Sequence, residues 1–290
     1  MTDCIFKNNF IVLEKILLTK LKKSFSWGIF SNFIYRIGQK ESQSLTIDKN
    51  LEYLLSIESF IIATDALDDV FDGDVSLFEN DKTFIIQLFK YNFRKILSNI
   101  NNYEAKLIFE KNINLALKHS TDEITILSSE FFLNEMDYFK KNIATSTFLM
   151  NAIVQISLPN PINGLFVFSY FFGIANQLDN DIIGIFERGS HSDLAKFKIT
   201  LPFIKAYNEA KQKNNSIYTK MRSYLLERNT YYIGDIQNYI LGSGAIEYCR
   251  FIQTNCINKS FELLHQYFPM SYLEIIDFKN YFFFEGIVNE

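Results

Sequence analysis

The sequence predicts an all-α protein, and three observations support that fold class. Strand signals are weak, because few runs alternate apolar and polar residues between turn residues. Prolines and glycines number only 4 and 11 in 290 residues, so few positions break a helix. Apolar residues recur with helical spacing, which predicts about ten to twelve helices. The helical ranges are 10–24, 49–71, 82–98, 101–118, 120–139, 143–157, 163–187, 199–213, 215–229, 231–241, 243–265 and 272–285.

The chain has no Ser/Gly-rich linker and no shift in composition along its length. We therefore expect residues 1–290 to form a single domain, although the length alone would also permit two. Hydrophobic residues make up 48% and charged residues 21%, which is typical of a soluble globular protein. The formal net charge is −4 and no long basic block occurs, so nothing indicates a nucleic-acid partner.

The cysteines and the apolar stretches bear on where the protein works. Cys4, Cys249 and Cys256 are too scattered for a disulfide framework, so we expect a reduced, cytoplasmic setting. The first seven residues carry charges and no signal-peptide pattern. Polar residues and prolines interrupt the apolar stretches 148–158 and 164–175, so we expect core helices there and no membrane span.

Five aspartates lie between residues 65 and 74, at the end of an apolar helical range. On a helix, the first four of them share one face. Carboxylates that close repel one another unless cations lie between them, and Mg²⁺ and Ca²⁺ both prefer oxygen ligands. A solvated acidic helix end or a loose Ca²⁺ site would explain the pattern equally well on its own. The five are Asp65, Asp68, Asp69, Asp72 and Asp74.

A second oxygen-rich segment, Gln177 to Glu187, follows the apolar helix around 165–175. Helical spacing places Asn180, Gly184 and Glu187 on one face. The loop that follows carries two lysines, at 196 and 198, which could meet an anionic group. Two such segments with nearby lysines predict that the segments converge on a metal-bridged diphosphate site.

The order and spacing of these segments resemble the class I trans-isoprenyl diphosphate synthase superfamily, over about residues 50–265. The first segment matches the family's DDxxD motif. The second lies where the family has its second aspartate-rich motif, with Asn180-Asp181 in place of Asp-Asp. Residues 193–202 resemble the DLxxGKxTLP loop, with Phe197 where the family has Gly. Residues 244–248 resemble the family's C-terminal helix signature.

The resemblance implies a bundle of helices around a central cavity, a homodimer, and three Mg²⁺ ions bound with the substrate. The substrate would be geranyl, farnesyl or geranylgeranyl diphosphate. The implied catalytic residues and metal ligands are Asp68, Asp69 and Asp72, with Asn180, Asp181 and Glu187 as further metal ligands. The implied diphosphate contacts are Gln177, Lys196 and Lys198, and Asp65 and Asp74 would be outer neighbours of the metal ligands.

Several cations of the family pattern are missing. The Gly-Lys-x-x-Arg segment upstream of the first motif and the Arg pair after it are not found, and Thr145-Ser146 stands where a Lys-Thr pair is expected. Without those cations, a second diphosphate would meet uncompensated repulsion. We therefore expect an acceptor other than isopentenyl diphosphate, either a peptide or a small molecule.

Four hypotheses follow for the reaction. The first is a prenyl transfer like that of the ComQ-type isoprenyl transferases, which resemble this chain in the extra aspartates at 65 and 74. The second is a terpene synthase, since residues 180–187 partly resemble the cyclase NDxxSxxxE pattern, although Gly184 replaces the Ser and Glu187 falls one residue short. The third is a divergent polyprenyl diphosphate synthase, and the fourth an inactive partner subunit. The first hypothesis is preferred.

Overall fold

The computed structural model describes residues 26–42, 51–71, 79–127, 134–187, 189, 192–213 and 215–283. For residues 68–71 only the helical backbone is described. Eleven α-helices and three short 3₁₀ turns build this part of the chain, and no strand occurs within it. The predicted all-α class is thus confirmed.

The helices range from 10 to 25 residues in length. In chain order they are α1 Trp27–Glu41, α2 Leu51–Phe71, α3 Glu79–Asn99, α4 Tyr103–Leu127, α5 Glu135–Ser157, α6 Phe166–Phe186, α7 Leu201–Gln212, α8 Ser216–Glu227, α9 Ile233–Gly242, α10 Ala245–Tyr267 and α11 Tyr272–Phe283.

Two predicted helix boundaries are wrong. Helix α4 continues through the break predicted at residue 119, and α5 continues through the break predicted at residues 140–142. The range 120–139, predicted as one helix, is therefore divided between α4 and α5. No Gly or Pro stands near residue 119 to end α4. Helix α5 begins after Asn134, whose side chain accepts a hydrogen bond from the Met136 N–H at 3.0 Å. The predicted range 10–24 lies outside the described residues.

Helix α1 was missed, although its start carries a cap. The Ser26 side chain accepts a hydrogen bond from the Ile29 N–H at 3.2 Å. The glycine at 38 lowers helix propensity, but it is needed for packing. A Cβ at Gly38 would lie 2.8 Å from the Pro159 ring and 2.9 Å from a methyl group of Leu158. Contacts with Leu158 and Pro159 therefore explain the presence of Gly38, a residue of low helix propensity, within α1.

The described part of the chain divides into two compact units, and the first takes its described residues from the ranges 1–111, 152–163 and 264–290. In this unit α2 packs on α1 and α3, and α11 packs on α1. Phe60 is fully buried, with its ring centroid 5.6 Å from those of Phe89 and Phe109. A second aromatic group pairs Phe30 with Phe278, at 5.7 Å. Phenylalanine thus provides much of this core.

The second unit comprises residues 112–151 and 164–263. Its apolar residues form two clusters, and α6 contributes to both. One cluster joins Ile185 of α6 to Phe203 and Tyr224, and the other joins Leu178 of α6 to Tyr138. Helix α6 is therefore fixed on two sides, which holds the second oxygen-rich segment in place. The single domain expected for residues 1–290 stays a prediction, as does the central cavity.

Among the helices that the structure describes, none combines the length and the hydrophobicity needed to cross a membrane.

Replacing Phe60 by Ala should strongly destabilise the first unit, because it empties a fully buried aromatic site. We expect a loss of about 3–5 kcal/mol in the free energy of unfolding, measured by chemical denaturation. Tyr91→Ala is the matched control, since Tyr91 is 65% exposed, and it should change the stability by no more than about 0.5 kcal/mol. Equal losses in the two variants would contradict this description of the core.

Candidate active site

Three consecutive polar residues near the end of α6 point in three directions. Asp181 is buried, with 4% of its surface exposed, whereas Asn180 is exposed. The Asp179 carboxylate accepts hydrogen bonds from Arg250, at 2.7 Å, and from Gln253, at 3.3 Å, both on α10. The exposed face of α6 therefore carries Asn180, while Asp181 faces the interior.

Asp181 accepts hydrogen bonds from three groups. Its Oδ2 accepts a hydrogen bond from the Tyr138 hydroxyl at 2.7 Å, and its Oδ1 accepts one from the Gln177 side-chain amide at 2.8 Å. The Leu201 backbone N–H also donates to it. Burial raises the pKa of Asp181, while these hydrogen bonds and the charge of Lys198 act in the opposite direction. Asp181 thereby joins α5, α6 and the start of α7.

The loop 192–200 follows α6 and is fixed by its backbone. The Asp193 N–H donates to the Gly184 carbonyl at 2.9 Å, and the Lys198 N–H donates to the Asp193 carbonyl at 2.8 Å. The Tyr224 hydroxyl donates to the Leu194 carbonyl at 2.8 Å. Because both ends of the loop are held, the lysines at 196 and 198 start from a defined backbone.

Phe197 has a left-handed backbone, with φ = 57°. This conformation costs a non-glycine residue about 1–2 kcal/mol, which gives a physical reason for the glycine in the resembling motif. The Phe197 ring offsets part of that cost by stacking on Tyr224, with centroids 5.1 Å apart. The Arg228 guanidinium lies 4.8 Å from the same ring. The substitution therefore keeps the loop conformation by other means.

Asp193 is a half-buried carboxylate that was not among the predicted site residues. Burial, and next the charge of Asp181, raise its pKa from 3.8 to about 7. Lys198 and Lys196 lower the pKa, and Glu187 raises it further. These charges are therefore close enough to Asp193 to act on it. The signal that could have identified it is its place in the DLxxGKxTLP-like loop.

Gly184 lets the Asp193 carboxylate lie directly against α6. A Cβ at position 184 would overlap the carboxylate, lying 2.7 Å from Cγ and 3.1 Å from Oδ1. No side chain larger than glycine fits there while Asp193 keeps its place.

A second polar cluster, at the start of α5, was missed altogether. Lys205 on α7 donates to Glu135 at 2.9 Å, and the Tyr248 hydroxyl on α10 donates to the same carboxylate at 2.7 Å. The Lys205 ammonium lies 3.9 Å from the centre of the Tyr248 ring. Burial and the Glu135 contact raise the pKa of Tyr248 to about 12. No spacing rule joins residues this far apart in sequence.

The predicted site residues of the second segment fall into two groups. Gln177, Asp181 and Lys198 act on one another through hydrogen bonds or charge, and Lys196 adds its charge beside Asp193. Asn180 and Glu187 are exposed. Glu187 lines a surface pocket of about 510 Å³ together with Phe186, Gly189, Ser192, Ile233 and Gln237.

The first segment is only partly described. Asp65 lies on α2, and the backbone of Asp68 and Asp69 continues that helix, but their side chains lie outside the described residues. Asp72 and Asp74 also lie outside. Within the described residues, no group of three or more His, Cys, Asp or Glu side chains could hold a metal ion. The metal ligands and the convergence of the two segments stay predictions.

The second segment nevertheless suits a divalent cation bound to a diphosphate. Its donors are oxygens, as Mg²⁺ prefers, and two lysines stand beside them. The Thr200 hydroxyl, on a residue 4% exposed, has no hydrogen-bond partner among the described residues. A buried hydroxyl without a partner is costly. Thr200 directly precedes Leu201, whose N–H donates to Asp181, so the hydroxyl favours a ligand near Asp181.

Comparison with known proteins identifies the fold. No protein-family model matches the sequence, and no curated protein matches it. The structure is similar to heptaprenyl diphosphate synthase from Staphylococcus aureus, with a TM-score of 0.69 and 13% identity over 95% of this chain and 97% of that one. It is also similar to a polyprenyl synthase from Caulobacter crescentus, solved with calcium and isoprenyl diphosphate, with a TM-score of 0.68 and 14% identity over 94% of each chain.

A third similar structure is geranylgeranyl pyrophosphate synthase from Bacteroides thetaiotaomicron, with a TM-score of 0.64 and 17% identity over 96% of this chain and 94% of that one. Identities this low establish the fold and leave the activity to be argued from the site. The chain has the fold of the class I trans-isoprenyl diphosphate synthases, as the motifs predicted. The nearer likeness to ComQ-type enzymes stays a prediction.

The raised pKa of Asp193 should make stability depend on pH. Between about pH 4 and pH 7 the folded protein binds a proton there that the unfolded chain does not, so this carboxyl lowers the stability as the pH rises. In metal-free buffer, Asp193→Asn should therefore raise the melting temperature more at about pH 8 than at about pH 5. Gln212→Ala, at an exposed residue that carries no charge, is the control, and it should change the melting temperature equally at the two pH values. If the melting temperatures of Asp193→Asn and wild type differed by the same amount at both pH values, the raised pKa of Asp193 would be contradicted.

The left-handed backbone at Phe197 predicts an unusual order of stability. Phe197→Ala and Phe197→Gly both lose the ring stacked on Tyr224, but only Gly removes the backbone strain. We expect the Gly variant to be more stable than the Ala variant by about 1 kcal/mol, measured by urea denaturation. At Ala195, whose φ is not positive, Ala→Gly should destabilise instead. An Ala variant more stable than the Gly variant at 197 would show that the loop is not held in this conformation.

Proposed function

We propose that this chain, which has the fold of the polyprenyl diphosphate synthases, is a Mg²⁺-dependent class I enzyme that uses an allylic prenyl diphosphate. One observation carries the proposal: the Lys198 cation acts on two carboxylates, Asp181 and Asp193, in a loop whose backbone is fixed. A site that holds a fixed cation beside oxygen ligands for a metal suits a diphosphate group.

The residues would divide the work as follows. Lys198 and Lys196 would contact phosphate oxygens through charge-assisted hydrogen bonds. Asp68, Asp69 and Asp72 of the first segment would hold Mg²⁺, and Asn180, Asp181 and Glu187 are proposed as the ligands of the second. Bound Mg²⁺ would neutralise charge on the leaving group. Apolar surroundings would then protect the allylic cation from water.

The acceptor is proposed to be something other than isopentenyl diphosphate. The family's Lys-Thr pair is replaced by Thr145-Ser146, and the Thr145 hydroxyl is buried without a hydrogen-bond partner among the described residues. The uncharged side chains of Thr145 and Ser146 cannot balance the negative charge of a second diphosphate. Transfer to a peptide or a small molecule, as in the ComQ-type enzymes, therefore fits better. The prenyl C–O bond would break with its electron pair leaving on pyrophosphate, the allylic carbon would bond to the acceptor, and the acceptor would pass its proton to the released pyrophosphate.

Chain elongation is the second candidate, because the similar solved structures named above are polyprenyl and geranylgeranyl diphosphate synthases. Elongation would require cations for isopentenyl diphosphate outside the family pattern. The similar structures named above do not favour the cyclase hypothesis. A homodimer and a cytoplasmic location remain part of the proposal.

The reaction can be tested by incubating the protein with Mg²⁺ and geranyl, farnesyl or geranylgeranyl diphosphate and measuring pyrophosphate release. We expect release that chelation of the metal abolishes, and that an acceptor peptide or small molecule stimulates. Dependence on isopentenyl diphosphate would select elongation instead, and hydrocarbon products without an acceptor would select cyclisation. No release with any substrate would select the inactive partner subunit.

Variants test the assigned residues in the same assay. Asp68→Ala and Asp69→Ala should abolish turnover. Lys198→Ala should lower kcat/KM about 100-fold, because it removes a fixed charge facing the leaving group. Lys220→Ala is the matched control, since this exposed lysine pairs with Asp235, and it should change kcat/KM by less than about twofold. Full activity in Lys198→Ala would refute the diphosphate assignment.

A further inference from the structure

Position 184 lacks a side chain that the spacing of an acidic motif would place there. Counted from Asn180-Asp181, the DDxxD spacing puts its last carboxylate at residue 184, and the cyclase pattern puts a Ser oxygen at the same place. This chain has glycine at 184, which is buried on α6. Judged from the sequence alone, an oxygen ligand is missing at this position.

The structure fills that position from the loop. The Asp193 carboxylate occupies the volume that a side chain at 184 would need, since a Cβ there would lie 2.7 Å from the carboxyl carbon. The two residues are also joined through the backbone, by the Asp193 N–H and the Gly184 carbonyl at 2.9 Å. The carboxylate is therefore placed at the 184 position of α6 by two contacts.

The loop that carries Asp193 is held independently of that carboxylate. The Ala195 N–H donates to the Ser192 hydroxyl at 3.0 Å, and Tyr224 donates to the Leu194 carbonyl at 2.8 Å. Fixed backbone on both sides of Asp193 lowers the entropy cost of using it as a ligand. Asp181, by contrast, is almost fully buried and already accepts three hydrogen bonds. Asp193 is the half-buried carboxylate of the pair.

Two further observations favour a ligand beside Asp193. The Thr200 hydroxyl, in the same loop, is buried with no hydrogen-bond partner among the described residues. Lys196 and Lys198 bring positive charge next to the carboxylate, so the loop presents both an oxygen donor and cations. That combination suits a metal ion carrying a phosphate group.

We propose that Asp193 supplies from the loop a metal-facing carboxylate that Gly184 cannot supply from the helix, while Asp181, besides its proposed role as a ligand, positions this end of α6. The proposal rests on the proposed function, because it names a residue of the same diphosphate site. It also gives Gly184 a role, because the glycine leaves room for the Asp193 carboxylate against α6.

The test measures the dissociation constant of inorganic pyrophosphate with Mg²⁺ by calorimetry, without any turnover. We expect Asp193→Asn to weaken binding about 10- to 100-fold, with a melting temperature equal to or above wild type. Gly184→Ala should weaken it similarly, because the new Cβ displaces the Asp193 carboxylate, although Ala normally favours a helix. Asp179→Asn, on the same helix, is the control and should bind as wild type does.

An exchange variant gives the sharpest test. Gly184→Asp combined with Asp193→Ala returns the carboxylate to the helix and clears the space that it needs. We expect this double variant to bind Mg²⁺ and pyrophosphate within about threefold of wild type. If the double variant melts early, Gly184→Ala decides the question in its place.

The outcomes separate this inference from the proposed function. Wild-type binding in Asp193→Asn, or a folded exchange variant as weak as Asp193→Asn, would overturn the role of Asp193 and leave the proposed function standing. A wild-type protein that binds no pyrophosphate in the presence of Mg²⁺ would overturn both.

Discussion

The second unit depends on one buried carboxylate, Asp181, and the three hydrogen bonds that it accepts. A charge or a neutral acid without partners at 4% exposure would cost several kcal/mol. Tyr138, Gln177 and the Leu201 N–H remove that cost, and they come from α5, α6 and the start of α7. Because the three groups must stay in place together, these hydrogen bonds hold the end of α6 and the N-terminus of α7 together, and with them the loop that joins the two helices.

That constraint explains why the loop can carry substitutions that look disruptive in sequence. Phe197 takes a backbone conformation suited to glycine, and its stacking on Tyr224 helps to hold it there. Gly184 removes a side chain from α6, and the Asp193 carboxylate takes the space. Each change at one position is matched by a contact from another element, so the geometry of the loop survives while the motif becomes hard to recognise.

Local patterns predicted the helices well and the orientations poorly. Periodicity identified the fold class, because a helix that buries one face must repeat its apolar residues every three or four positions. It could not decide that Asp181 turns inward while Asn180 turns outward, since their neighbours on α5 and α7 settle that. The Glu135 cluster joins residues 70 and 113 positions apart, so no local rule could find it. Helix α1 was missed because Gly38 is explained only by Pro159 and Leu158.

The distribution of charge bears on the identity of the acceptor. The loop keeps its two lysines beside carboxylates, so the half of the site that would receive an allylic diphosphate retains its cations. Thr145 stands where the family has the lysine of its Lys-Thr pair, and its hydroxyl has no hydrogen-bond partner among the described residues. The arginines expected around the first motif are also missing from the sequence. A diphosphate brings several negative charges, which neutral hydroxyls cannot balance in a partly buried site. The loss of these cations, while the loop keeps its two lysines, therefore favours the proposed enzyme, which would ionise a prenyl diphosphate and transfer the prenyl group to an uncharged partner.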